Sequence, residues 1–203
     1  MKTKDKIVTL SRTLFNERGF ESTTTSAIAN ACDILEGSLW YHFPAKKDIL
    51  HAHVSAFGEQ FDNEIKSTES ADARQVIEGL ISAYGVIWAY RYLFRDAFEK
   101  TIGSEPTIAV VISELNDRVD DWLRDTIIHA SDNGIIECPE EDINDVAEIV
   151  LIIGRHWFDY SVKRYPEASN EYRQKRGIHL LIKALYSRLS AASKEVVDAL
   201  YSD

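Results

Sequence analysis

Apolar side chains recur at three- and four-residue intervals along almost the whole chain. Ile7, Leu10 and Leu14, with Phe15 beside them, mark a first helix, and Gly19 is placed to stop it. Thr23, Thr24 and Thr25 supply hydroxyls that can cap a short second helix carrying Ile28 and Ala31. A third short helix is predicted from about Leu35 to Tyr41. Pro44 then interrupts the chain, and Lys46 or Lys47 opens a fourth helix with Ile49, Leu50, Val54, Phe57 and Phe61 on its stripe. Longer stripes follow Ser70. One joins Val76, Leu80, Tyr84, Ile87, Trp88 and Arg91, and another joins Ile108, Val111, Ile112, Leu115, Val119, Trp122 and Leu123. A third joins Ile143, Val146, Ile149, Val150, Ile153 and Trp157, and the last joins Ile178, Leu181, Ile182, Leu185 and Leu189. Breaks fall near Ser67–Ser70, Ile102–Pro106, Asp132–Gly134 and Tyr165–Pro166. No stretch alternates with period two, so the expected class is all-α without strands.

Two short helices meeting at a tight turn, between Thr23 and Lys46, stand out in a chain whose other helices are longer. That is a helix-turn-helix arrangement. The DNA major groove, about 12 Å wide, admits one helix. The first helix of the pair braces the backbone while the second enters the groove by its N-terminal end.

The wording of the segment is more specific than its shape. Ile28-Ala29-Asn30-Ala31-Cys32-Asp33-Ile34-Leu35-Glu36-Gly37-Ser38-Leu39-Trp40-Tyr41-His42-Phe43 resembles the signature of the TetR family of one-component transcriptional regulators. Phe15, Gly19-Phe20 and Thr23-Thr24 precede it, and Pro44-Ala45-Lys46-Lys47-Asp48-Ile49-Leu50 follows it, each similar to the family's pattern. The resemblance covers about residues 7–50. Three departures matter. Asp33 stands where the family has a turn glycine, and aspartate tolerates the left-handed backbone such a turn can need. Leu35 replaces the usual hydroxyl cap of the recognition helix, and Trp40 replaces a tyrosine while keeping an N–H donor.

By residue type, Thr24 and Thr25 can hold a phosphate at a helix N-terminus, and Gly37 lets the recognition helix come close to the duplex. Glu36 and Ser38 are expected to face base edges, and the Trp40 N–H can reach a phosphate. Tyr41 and His42 either touch the DNA backbone or cap the small core of the head. The resemblance implies that Lys46 contacts the backbone from the start of the fourth helix. Leu39, Phe43, Phe15, Ile28 and Ile34 are read as core.

Charge changes this picture little. The net charge of −10 at first argues against nucleic acid, but residues 1–50 carry seven Lys/Arg against six acids. The acidic excess therefore lies in the remainder, which would turn DNA toward the head alone. Cys32 and Cys138 are far apart and outside any Cys-x-x-Cys spacing, so two reduced thiols are expected rather than a metal site or a redox pair.

The expected division is a DNA-binding unit over 1–50, a connector helix over 47–66, and a helical ligand-binding and dimerisation unit over 67–203. The family resemblance implies a small-molecule pocket and a homodimer interface in the latter. Candidate pocket residues are Tyr84, Trp88, Tyr92, Phe98, Trp122 and Trp157, whose aromatic walls suit a cavity but suit an ordinary core as well. The stripes over about 141–164 and 171–190 fit a four-helix dimer interface. The stretch from Trp88 to Asp96 looks like an arginine-rich aromatic block in one branch of the family. Two heads about 34–36 Å apart would read successive major grooves of a near-palindromic operator, which a ligand could release by changing that spacing.

No Glu-x-x-His repeat, phosphate-binding glycine loop or nucleophile elbow occurs, so neither catalysis nor a cofactor or metal is expected. His51 and His53, two residues apart, point to different faces of a helix. With neither a long apolar span nor a signal-like start, the expected place is the cytoplasm, away from membranes. The alternative reading is a DNA-binding regulator that works through protein partners without sensing a small molecule.

Overall fold

A computed structural model describes residues 2–95, 98 and 106–201. The predicted break at 102–105 and Asp96 lie outside the described residues. Helix α1 (Thr3–Arg18) ends where the Gly19 N–H reaches back to Phe15 O. Helix α2 (Thr25–Ala31) starts at Thr24, whose hydroxyl accepts from Ala27 N at 3.1 Å. Thr23 is buried instead and donates to Gly19 O at 2.8 Å, locking the loop between α1 and α2. Asp33 takes the turn with φ +53°, the only non-glycine residue with positive φ among those described. A short aspartate carries that backbone where the family pattern has glycine.

Helix α3 (Glu36–His42) follows with no side-chain cap from Leu35. Helix α4 (Lys46–Glu64) is capped by the Asp48 carboxylate, which accepts from Ala45 N at 2.7 Å. A 3-10 turn (Ile65–Glu69) fills the predicted break and leads to α5 (Ala73–Ala89), capped by Asp72. Helices α6 (Pro106–Asp132), α7 (Ile143–Arg164), α8 (Asn170–Leu185) and α9 (Ala191–Leu200) complete the body. No strand occurs among the described residues; a single bridge joins Ile136 to Leu189.

Two stripes run past the ends of their helices. Arg91 lies beyond α5, in a 3-10 turn over Arg91–Phe94, and Leu189 lies beyond α8 and its 3-10 turn Tyr186–Arg188. Both had the right spacing, but the helix stops where the chain must turn into the core. Helix α9 was not anticipated from the sequence. It is short, and Ser190 caps it by accepting from Ser193 N.

Helices α1, α2 and α3 form the head, with Leu39 and Phe43 anchoring α3 to Ile28 and its neighbours in one buried cluster. That cluster does not stop at the head. It runs without a gap through Phe57 and Phe61 of α4 to Trp88, Tyr92, Ile112 and Phe158 of the body. A second cluster, at the far end of the body, gathers Val76, Leu123, Ile127, Val146, Leu189 and Val197. Burial of this apolar surface is the main favourable term in holding the elements together. Cys32 and Cys138 are both buried free thiols whose burial raises their pKa.

Candidate nucleic-acid interface and cavity

The outward side of α3 is open. Gly37, Trp40 and Tyr41 are exposed, Ser38, Glu36 and His42 half-buried, while Leu39 between them is sealed in the core. Tyr41 is 84% exposed and meets the His42 ring edge-on at 5.2 Å, so Tyr41 does not cap the core. A Cβ at Gly37 would meet nothing within 4 Å. Gly37 lies in the first turn of α3, so alanine there should stabilise the free protein only slightly, by no more than about 0.5 kcal/mol. If α3 lies against DNA, the added methyl should also weaken operator binding. Denaturant melts paired with operator titrations of Gly37→Ala separate the two effects, and tighter DNA binding would contradict close approach at this residue.

Other candidates are committed to bonds inside the head. Thr25 Oγ1 donates to Glu36 Oε1 at 2.6 Å, tying the start of α2 to the start of α3. Only the second carboxylate oxygen of Glu36 lacks this tie. Thr24 is exposed and spends its hydroxyl on the α2 cap. Lys46 donates to Phe20 O at 2.9 Å and to Thr23 O at 3.3 Å, with its ammonium 4.3 Å from the Phe20 ring centroid. Burial lowers its pKa. The lysine is a brace between α4 and the α1–α2 loop before it is anything else.

Lys4, which the signature does not contain, lies over the Phe43 ring beside the end of α3 and is exposed. The exposed Leu35, at 83%, marks the front of α3. Its exposure was not foreseen, because its position invited comparison with a cap rather than a contact.

Sequence reasoning also missed the joint between head and body. Asn16, buried on α1, donates to Ala89 O at 2.7 Å and accepts from Tyr92 N at 3.1 Å. Arg95 donates to the Asn16 carbonyl at 3.0 Å and pairs with Asp159 at 3.2 Å. His53 of α4 is fully buried. Its Nε2 is 2.9 Å from Val8 O and 3.1 Å from Ser11 Oγ, and its Nδ1 is 2.7 Å from the Tyr92 hydroxyl. A carbonyl can only accept, so Nε2 carries the proton and Nδ1 accepts from Tyr92. Desolvation pulls the His53 pKa down to about 4. The available signal was a polar residue inside an apolar stripe: His53 follows Ile49 and precedes Phe57 at four-residue spacing.

Inside the body lies a cavity of about 150 Å³. Helices α5, α6, α7 and α8 wall it, with Phe94 from the 3-10 turn. Tyr84 and Trp122 line it. Trp88, Tyr92, Phe98 and Trp157 are buried outside its wall. Trp88 packs on Phe158, Tyr92 belongs to the joint, Phe98 meets Phe20 and Tyr92, and the Trp157 N–H donates to Arg173 O.

The chain has known relatives. A family model described as bacterial transcriptional repressor, TetR, matches residues 57–197, and one for bacterial regulatory proteins of the tetR family matches residues 7–53. The chain belongs to the TetR family. A crystal structure of a TetR-family transcriptional regulator from Marinobacter aquaeolei VT8 is similar over 98% of this chain and 97% of that one, at 27% identity and a TM-score of 0.78. The ketosteroid transcriptional regulator KstR2 of Mycobacterium tuberculosis shares the fold, with a TM-score of 0.65 at 20% identity over 93% of this TetR-family chain and 96% of that one. Among curated proteins, the biofilm operon icaADBC HTH-type negative transcriptional regulator IcaR of Staphylococcus aureus is 32% identical over 96 residues. That match covers 47% of this chain and 46% of IcaR, so the TetR-family chain spans about half the length of this relative. Among the described residues, no helix is long and apolar enough to cross a membrane.

Proposed function

We propose that this TetR-family chain is a transcriptional repressor that acts as a homodimer on a near-palindromic operator and is released by a small molecule held in the body cavity. The observation that carries the reading is α3, anchored by Leu39 and Phe43 while Gly37, Trp40 and Tyr41 are left to solvent. A seven-residue helix gains little stability alone. Its exposed face is understandable as a surface for a groove. The name of IcaR, a negative regulator, supports repression over activation.

Dimerisation is supported by α7 and α8, which pack on each other. Ile149, Ile152 and Tyr160 are exposed along α7 at helical spacing. A second copy would cover such a stripe, and it would set two heads at the spacing of successive grooves. Release is supported by the turn Arg91–Phe94. Phe94 lines the cavity, and Tyr92, two residues earlier, bonds to His53 of α4. A ligand that prefers the off-DNA arrangement a hundredfold shifts that equilibrium by about 2.7 kcal/mol. The apolar lining of the cavity favours this signal over one delivered by a protein partner. The chain would act in the cytoplasm, without a catalytic step.

Selection of bound duplexes from a random pool, with the purified protein, tests the reading. The expected product is a sequence with two-fold symmetry and half-sites about one helical turn apart. Affinity should fall linearly with salt on logarithmic axes. Tyr41→Ala should weaken it while leaving the melting temperature unchanged. A pool that never enriches, or an asymmetric site bound by one copy, would count against the proposal.

A further inference from the structure

The cavity lies where the two buried clusters meet. Tyr84, Phe94 and Phe158 of its wall belong to the cluster that reaches into the head, and Ile77, Leu123 and Ile127 to the one at the far end of the body. Close-packed interiors leave few voids larger than a water molecule, and one of about 150 Å³ costs stability that an occupant would return.

The wall has little to offer a polar occupant. Among the described lining residues, only Tyr84, Trp122, Thr126 and Arg155 carry polar side-chain atoms. Trp122 N–H donates to Thr68 Oγ1 at 3.2 Å, and the Thr126 hydroxyl donates to Trp122 O at 2.8 Å. Arg155 pairs with Asp120, and the two side chains stay 34% and 30% exposed, so this pair marks the edge of the cavity and not its interior. The Tyr84 hydroxyl is sealed elsewhere. It is buried against Gly177 of α8, where a Cβ would lie 2.7 Å from it and 2.6 Å from the Trp157 ring, and neither Gly177 nor Trp157 belongs to the wall. The backbone of Ile135, a lining residue outside the helices, is spent as well. Its N–H donates to Ala130 O at 2.8 Å, and its carbonyl accepts from Ser190 N at 3.1 Å and Ser193 Oγ at 2.8 Å.

We infer that the effector is a small hydrocarbon, or the hydrocarbon part of a molecule of that size, with neither a charge nor a hydrogen-bond acceptor to bury. This rests on the reading that the cavity receives the effector. Size follows from volume, since an apolar cavity of comparable volume admits benzene. Class follows from the wall. An oxygen acceptor entering it would leave water and find no free donor. A carboxylate or ammonium would lose more, because Asp120 already satisfies the one ionised group among the described lining residues.

Calorimetric titration of the full chain, free of DNA, with ethylbenzene, acetophenone and benzoate tests this. Ethylbenzene is the hydrocarbon, acetophenone adds an acceptor oxygen, and benzoate adds charge. Ethylbenzene should bind about fivefold or more tightly than acetophenone, whose carbonyl is desolvated without a partner. Benzoate should not bind measurably. Leu181→Phe, which adds a ring at the wall, should abolish ethylbenzene binding. Gly154→Ala is the gentler companion. Its methyl would meet nothing closer than 3.7 Å, so the fold is kept, and ethylbenzene affinity should fall about threefold or more. The inference is overturned if ethylbenzene does not saturate, if acetophenone or benzoate matches it, or if either variant, once folded, binds it unchanged. Operator release is scored separately. Saturable ethylbenzene binding that leaves a DNA complex intact would retire the release mechanism while the ligand class stands. Benzoate that binds and releases the operator would do the reverse.

Discussion

Acidification from pH 7 to pH 4 is expected to remove about 3 kcal/mol of folding stability through His53 alone. Its folded pKa lies near 4, against about 6.5 for an unfolded chain. Between those values the unfolded chain takes up a proton that the folded one refuses. The contribution is therefore whole above about pH 6.5 and is lost as pH falls through the folded value. Two causes act together: the ring is out of water, and Arg12 opposes a second positive charge, while the bond to Val8 O works the other way. Urea titrations at half-unit pH steps should show the slope, and His53→Leu should flatten it between pH 6.5 and 4.5. An equally steep slope in that variant would place the acid sensitivity elsewhere, for instance in carboxylates.

Replacing Asn16 by leucine should cost about 2–6 kcal/mol, although the two side chains are close in size. The loss comes from Ala89 O and Tyr92 N, which give up the partners that one amide supplies to both. Each buried group left unpaired costs roughly 1–3 kcal/mol. The exposed neighbour Glu17 is the control, and its change to alanine should stay within about 0.5 kcal/mol. Thermal or urea melts decide. An Asn16→Leu protein as stable as its parent would show that the joint carries little of the folding energy.

The head was legible in the chain because its information is local. Capping at Thr24, the stop at Gly19, the turn at Asp33 and the anchors Leu39 and Phe43 each depend on neighbours a few residues away. The four long helices were legible for the same reason, through their stripes. What stayed hidden depends on residues far apart in sequence. Thr25 meets Glu36 only after the turn has formed, and Lys46 finds two carbonyls more than twenty residues upstream. Asn16 finds its partners at the end of α5 and in the turn after it, and His53 finds its own in that turn and on α1. Aromatic composition could not say which rings wall a cavity. Tyr84 and Trp122 do, whereas Trp157 is held by a carbonyl of α8.

The unbroken apolar seam from the head into the body also bears on how such a protein can be rearranged. Phe15 touches Tyr92, and Phe20 touches Phe98, across what reads as a module boundary. A hybrid that keeps the first fifty residues and borrows another regulator's body would strand these rings, with Asn16, against strangers. Exchanging heads by cut-and-paste would therefore fail at the seam unless the graft carried the segment around Tyr90–Phe98 along with it.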